Sequence, residues 1–339
     1  KVYDGYMKAC KTFLDMDGDG VLSLGDPHGD TNQYGVVSLS AAQTEKNDEV
    51  VISLTDGTDG DCFDAFTGSA LPFQLSAPRR PAGGYVTPLT TMQVELMQAE
   101  GISSTQAGER VKALFSLDDV DDINDFNVIH NLYKDELRAK AAGRAVTAAI
   151  ASLVQTANLV VAHFSTADSN STNTVNKPNQ ISKAFFAAIA AGAGQQGLVQ
   201  LDSVVFVKQH VMGSVRSALG ASENPEAEEA IADAVVLLTQ IVEDYVKDSS
   251  STAGDFLTGV SATTKTSGTQ MASAIENFAK GTLEGGSAAL IRDLGSASVQ
   301  EGITQNLVGV DVEIDPSDGT GETPELPDTD EKGNLEEQA

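Results

Sequence analysis

The stretch Gly84-Tyr85-Val86-Thr87-Pro88-Leu89-Thr90-Thr91-Met92 marks the change from a β-rich to a helical part of the chain. Threonine caps helix N-termini well, and proline suits the first helical position because an N–H there would have no partner in the helix. Apolar residues then follow at helical spacing, namely Leu89, Met92 and Leu96. The stretch therefore predicts that a helical domain begins near residue 86.

The residues before this stretch have the pattern of short β-strands. Apolar runs such as Val36–Leu39 and Val50–Leu54 are separated by clusters of Gly, Asp and Asn, which is typical of a small β-sandwich. The segment 77–84 contains two prolines and two glycines and is predicted to be a linker. We therefore expect a β-sandwich domain over residues 1–85.

The residues after this stretch predict an all-α domain over 86–300. The longest periodic run, Val128–Ala167, predicts one core helix that bends near Gly143. Ser103–Gln106 can form a capping box. Start and stop residues predict further helices at 179–191, at 203–219 with Asp202 as cap and Gly220 after it, and at 226–246 after Asn224-Pro225. Weaker patterns indicate helices at 271–278 and 288–294.

The last part of the chain, residues 301–339, changes character again. Val308, Val310, Val312 and Ile314 alternate with Gly309, Asp311 and Glu313, which is the period of a strand. Residues 315–339 are rich in Pro, Gly and acidic residues, the composition of a linker or disordered tail. The complete prediction is a multidomain α+β protein with a C-terminal strand and an acidic tail.

The segment Asp15–Asp26 matches the spacing of a calcium-binding loop, DMDGDGVLSLGD. Ca²⁺ prefers six to eight oxygen ligands, and glycine at position six provides the sharp bend, here at Gly20. The spacing predicts as ligands Asp15, Asp17, Asp19, the Val21 carbonyl, Ser23 and Asp26. Aspartate replaces the usual glutamate at position twelve, so we expect weak affinity, on the order of 10⁻⁴ to 10⁻³ M. Lys11–Leu14 resembles a strand, which favours a structural site over a sensor.

Two further features of the β-rich part leave alternatives open. Asp56–Asp64 carries four more aspartates in no recognised register, and it is either a plain turn or a second cation site. The chain has two cysteines, Cys10 and Cys62. They are either independent buried thiols or one disulfide, and a disulfide would indicate an oxidising, extracytoplasmic compartment.

The composition disfavours several classes of function. With 21 Lys+Arg against 49 Asp+Glu, the formal net charge is −28, which repels nucleic acids and anionic lipid surfaces and attracts cations. No uninterrupted run of 18 apolar residues is present, so we expect no membrane insertion. Known nucleophile, P-loop and zinc-protease motifs are missing, and the four histidines have no ligand spacing, so we expect no enzymatic activity.

The N-terminal half resembles a known family of adhesive modules. The resemblance rests on the runs VYDGYMKAC (2–10), FLDMDGDG (13–20), GDP (25–27) and TNQYG (31–35). These are similar to the prealbumin-like B-type modules of serine-aspartate-repeat and collagen adhesins, which are calcium-stabilised β-sandwiches in cell-surface stalks. The run VTPLTT (86–91) is similar to a segment that follows such modules in large secreted proteins of marine microbes. The resemblance covers about residues 1–165 and implies calcium binding and a stalk-like role.

We therefore expect a secreted or cell-surface structural protein. A calcium-stiffened β-module and a helical domain would pack against further copies or other surface or matrix proteins, with neither nucleic acid nor membrane as partner. The alternative is a ligand-binding adhesion module, in which the helical domain recognises a ligand and the β-module is a spacer. The first residue is Lys1, which suggests a mature secreted protein or a piece of a longer precursor.

Overall fold

A computed structural model describes residues 7–39, 50–54, 62–64, 70–80, 83–166, 177–196 and 199–308. Six short strands come first and helices follow. The strands are β1 (Met7–Lys8), β2 (Lys11–Asp15), β3 (His28–Asp30), β4 (Val50–Leu54), β5 (Phe63–Asp64) and β6 (Leu75–Pro78). The helices are α1 (Pro88–Glu100), α2 (Ser104–Leu114), α3 (Val128–Tyr133), α4 (Leu137–Thr166), α5 (Lys177–Gln196), α6 (Gly213–Leu219), α7 (Pro225–Lys247), α8 (Ala253–Thr266), α9 (Ala272–Ala279), α10 (Gly286–Asp293) and α11 (Ser296–Leu307). Two π-helical segments, π1 (Phe206–Met212) and π2 (Ser267–Met271), precede α6 and α9.

The predicted β-sandwich is wrong. The described strands form one antiparallel sheet in the order β3-β2-β4-β6 and a separate two-stranded pair, β1 with β5. β2 lies in the interior of the sheet and pairs with β4 from Lys11↔Leu54 to Asp15↔Val50. Helix α1 packs against β6, so the sheet is joined to a helix where the prediction expected a second sheet.

Threonine hydroxyls join the sheet to the first helix. β6 is an edge strand, and its residue Ser76 donates its backbone N–H to Thr91 Oγ1 at 2.9 Å. The Ser76 carbonyl accepts from the Thr90 hydroxyl at 2.9 Å. Thr87 caps α1, as predicted, and forms a full capping box with Thr90. The described part of the predicted linker 77–84 contacts both neighbouring parts of the fold: Pro78 ends β6, and Arg80 pairs with Asp122 and Asp125 at 2.7 and 2.9 Å.

The helical part is built around α4, which packs against α3, α5, α7, α8 and α9. The prediction of one helix over 128–167 is wrong, because the chain turns at Lys134, whose backbone is extended, and divides this run into α3 and α4. Gly143 lies within α4. A Cβ there would lie 3.0 Å from the Leu132 backbone nitrogen, so the glycine lets α3 pack closely on α4.

The predicted helix boundaries hold where local capping sets them. The Ser103 capping box, the Asn224 cap before Pro225 and the left-handed Gly220 after α6 are all present. α2 ends at Leu114. Ser203, rather than Asp202, accepts from the first turn of the next helix, at 3.3 Å from the Phe206 nitrogen.

Most of the described buried apolar side chains form one continuous core, from Met7 to Ile303. Phe73, next to β6, packs edge-to-face on Phe186 of α5 with ring centroids 6.0 Å apart. Within the described chain, α4 is long and apolar enough to cross a membrane, but 83% of that stretch is buried inside the fold. Helix α4 is therefore the central helix of the core.

Two of the predicted segments lie at or beyond the end of the described chain. The predicted strand Val308–Ile314 and the acidic tail fall on residues 309–339, outside the described residues, except Val308, which follows α11. Residue 300, the expected domain boundary, is inside α11. The structure therefore confirms an N-terminal sheet followed by a helical part.

Candidate metal centre

The predicted calcium loop begins at the last residue of β2. Asp15 is held there by the β2–β4 pairing and is only 5% exposed. Carboxylate oxygens of Asp15, Asp17 and Asp19 all lie within 4.8 Å of one another. Within the described residues, this is the one place where three or more His, Cys, Asp or Glu side chains come so close. Clustered carboxylate oxygens suit hard cations such as Ca²⁺.

Backbone amides shape this loop around Asp15. Its two carboxylate oxygens accept from the N–H groups of Gly18 and Gly20, at 2.8 and 2.9 Å. Both glycines have left-handed backbones, with φ of 79° and 75°, a conformation that strains other residues. Asp19 similarly accepts from the Val21 N–H at 2.7 Å. The glycines in the motif therefore turn the chain so that alternate carboxylates converge.

Asp26 closes the loop instead of joining the three-carboxylate cluster. Its Oδ1 accepts from the Met16 N–H at 3.3 Å and its Oδ2 from the Ser23 N–H at 2.7 Å. Asp26 is only 6% exposed, so these two hydrogen bonds replace the bonds to water that its buried carboxylate cannot make. The other two predicted ligands lie side by side, since the Ser23 hydroxyl donates to the Val21 carbonyl at 3.4 Å.

The electrostatics of the cluster favour cation binding. Burial raises the pKa of Asp15 above its usual value, the bonds from Gly20 and Gly18 lower it, and the neighbouring Asp17 and Asp19 raise it further. Grouped carboxylates repel each other when ionised, and a bound cation removes that repulsion. A bound divalent ion would therefore stabilise the ionised carboxylates of the cluster, which burial and mutual repulsion otherwise destabilise.

One anchor of the loop was missing from the sequence prediction. Gln74, just before β6, donates from Nε2 to the Gly20 carbonyl at 3.3 Å. The two residues are 54 positions apart, and no local pattern links them. This contact connects the loop to the strand that the threonine hydroxyls join to α1.

The disulfide alternative for the cysteines is confirmed. Cys10 and Cys62 are bonded across 52 residues. Cys10 is fully buried, and its backbone N–H donates to Thr31 Oγ1 at 2.9 Å. The bridge therefore fixes the β1–β2 turn to the start of β5. Most of the second acidic cluster, Asp56–Asp64, lies outside the described residues, and its last member, Asp64, is buried in β5.

The four histidines lie on separate elements. His28 is exposed in β3, with Nδ1 3.0 Å from the Asp26 carbonyl. His163 is buried in α4, and burial together with the Arg216 charge lowers its pKa to about 4. None of them belongs to a group of three or more metal-ligating side chains in the described chain.

The comparisons with known proteins add no relative to these observations. The chain matches no protein-family model, no curated protein and no solved structure. The resemblance to B-type adhesin modules therefore stays a prediction, and the geometry of the loop is the basis for any functional proposal.

Proposed function

We propose that the chain is a non-enzymatic, extracellular structural protein whose N-terminal sheet is stiffened by Ca²⁺ at the Asp15–Asp26 loop. The observation that carries this proposal is the convergence of the Asp15, Asp17 and Asp19 carboxylates within 4.8 Å. The disulfide Cys10–Cys62 supports secretion, because such bonds persist in oxidising compartments.

In this proposal the ion is bound by the carboxylates of Asp15, Asp17 and Asp19, with the Val21 carbonyl and the Ser23 hydroxyl completing the ligand set. Asp26 keeps free lone pairs beside its two backbone bonds and would add a ligand or hold the loop closed. Gln74 and the threonine contacts of α1 extend the stiffened loop into the helical core. Calcium would also offset part of the net charge of −28, which otherwise opposes packing of copies or neighbouring surface proteins.

Terbium luminescence and calcium calorimetry test the site on the non-reduced full chain. We expect Asp17→Asn and Asp19→Asn each to weaken binding about tenfold or more, since each removes a charged ligand. Asp118→Asn is the matched control, because Asp118 is an exposed aspartate outside the loop and its loss should leave binding unchanged. Equal binding by all three variants would contradict the site.

Sedimentation velocity in millimolar calcium and in excess chelator tests the structural role. Larger species with calcium would support assembly of copies. A chain that stays monomeric and only becomes more compact would instead favour the ligand-binding alternative. That alternative has one observation of its own, an open groove of about 540 Å³ lined by Thr269, Gln270, Ser273, Glu301, Gln305 and Asn306.

A further inference from the structure

The interface between α4 and the α8–π2 segment is polar although it lies in the core. Gln155 and Asn158 on α4 are 1% and 6% exposed. Their amide nitrogens donate across the interface to Thr264 Oγ1 and Ser267 Oγ, each at 3.2 Å. Their amide oxygens, Gln155 Oε1 and Asn158 Oδ1, are buried and accept no hydrogen bond from the described residues.

The orientation of the Asn158 amide is fixed by its neighbour. The Ser267 hydroxyl donates its hydrogen to the Thr264 carbonyl at 2.7 Å, so towards Asn158 it can only accept. The amide must therefore present its nitrogen to Ser267 and its oxygen to the remaining space. A buried acceptor without a hydrogen bond lowers the free energy of unfolding by about 1–3 kcal/mol. Two such acceptors lie three residues apart on one face of α4.

We propose that this interface encloses an ordered water molecule that donates one hydrogen bond to Gln155 Oε1 and the other to Asn158 Oδ1. Both open groups are acceptors, so the occupant must be a double donor. Side chains three positions apart on a helix are about 5–6 Å apart at Cβ, which one water can bridge. The side chains that bond this pair are the neutral Thr264 and Ser267, which favours a neutral occupant over a cation.

The residue before Ser267 is hydrogen-bonded to a residue that lines the open groove. Asn306 lines the open groove on α11 and donates from Nδ2 to Thr266 Oγ1 at 3.0 Å. Thr266 is fully buried and directly precedes Ser267, the first residue of π2. π-Helical turns interrupt the regular backbone pairing of a helix, and Ser267, which accepts from Asn158, is the first residue of such a turn.

A crystal structure of the full chain at about 1.5 Å resolution tests the proposal directly. We expect a water peak within hydrogen-bonding distance, about 2.7–3.2 Å, of both amide oxygens. A dry interface would overturn the proposal, and so would an anomalous peak at this position after a rubidium soak, which would identify a cation.

A double-mutant cycle tests the shared water in solution. With one water shared, Asn158→Leu should lower the melting temperature less in the Gln155→Leu background than in the wild type. The matched control pairs Gln155→Leu with Gln93→Leu, because Gln93 also has a buried open oxygen but donates to Ser104 on another element. There the two shifts should add. Additive shifts for both pairs would overturn the proposal, and if the variants do not fold, the wild-type crystal structure decides.

Discussion

Ser76 of the edge strand β6 donates its backbone N–H to the side-chain oxygen of Thr91, one turn into α1, at 2.9 Å. With the Thr90 hydroxyl on the Ser76 carbonyl, α1 occupies the edge where another strand would otherwise pair. Open sheet edges promote aggregation, and here side-chain hydroxyls close that edge and hold sheet and helix together.

Thr91→Val should therefore lower the free energy of unfolding by about 1–3 kcal/mol, because it keeps the shape but leaves the Ser76 N–H without an acceptor. Urea denaturation measures this change. Thr304→Val is the control, since Thr304 is exposed and its hydroxyl donates only to the Gln300 carbonyl one turn back. A loss below about 0.5 kcal/mol for both variants would show that the contact is unimportant.

Glu95 on α1 should make stability depend on pH. Burial raises the pKa of Glu95 to about 7 from its ordinary 4.5, and the Lys183 charge offsets only part of this effect. The folded state therefore holds the proton more tightly than the unfolded state, so the free energy of unfolding falls as pH rises from about 4.5 to about 7.

Glu95→Gln should remove this loss and stabilise the protein at pH 8 by up to about 3 kcal/mol, with no gain at pH 4. Urea titrations of both proteins across this range measure the difference, which isolates Glu95 from the other carboxylates. Parallel pH profiles for the variant and the wild type would contradict the prediction.

The pair Arg216–Glu228 should be sensitive to loss of the arginine. Arg216 Nη1 lies 2.8 and 2.6 Å from the two carboxylate oxygens of Glu228, which is 1% exposed. Arg216→Met leaves a buried charge unpaired and should lower the free energy of unfolding by about 3–5 kcal/mol.

Adding Glu228→Gln to that variant should recover part of the loss, because the uncompensated charge is gone. The exposed pair Lys247–Glu243, at 3.0 Å one turn apart, serves as the comparison, and Lys247→Met should cost less than about 1 kcal/mol. If Arg216→Met costs no more than Lys247→Met, the buried pair makes no special contribution.

Substitution by alanine should have opposite effects on stability at two glycines, Gly192 and Gly213. A Cβ at Gly192 would lie 2.9 Å from His210 Cβ of π1, whereas a Cβ at Gly213 meets nothing closer than 3.6 Å. Gly192→Ala should destabilise the protein by about 1–3 kcal/mol through overpacking. Gly213→Ala should stabilise it by about 0.5–1 kcal/mol, since alanine favours the helix. Thermal unfolding distinguishes the two, and a shift of the same sign for both would be contrary to expectation.

Features set by neighbouring residues were predictable from the sequence. The caps at Thr87, Ser103 and Asn224 each depend on contacts within one helical turn, and the aspartate–glycine spacing of residues 15–20 brings three carboxylates together within one loop. Such short-range patterns determine their own geometry, whatever packs around them.

Features set by distant residues were not predictable. The strand pattern did not single out β6, which overlaps the predicted linker, so the helix that closes its edge was not foreseen. No local pattern linked Gln74 to the Gly20 carbonyl either. The apolar periodicity of 128–167 also gave no sign of the break at Lys134, whose backbone is extended. The contacts of β6 and of Gln74 join segments far apart in the sequence, and no local pattern specifies such contacts.

The central position of α4 has a consequence for synthesis of the chain. Helices α7, α8 and α9, which pack on α4, follow it by at least 58 residues, from Thr166 to Pro225. Until these three helices have been synthesised, the part of the α4 surface that they cover is exposed, and only earlier elements such as α3 and α5 can pack on α4. Fragments that stop before α7 should therefore accumulate as insoluble material.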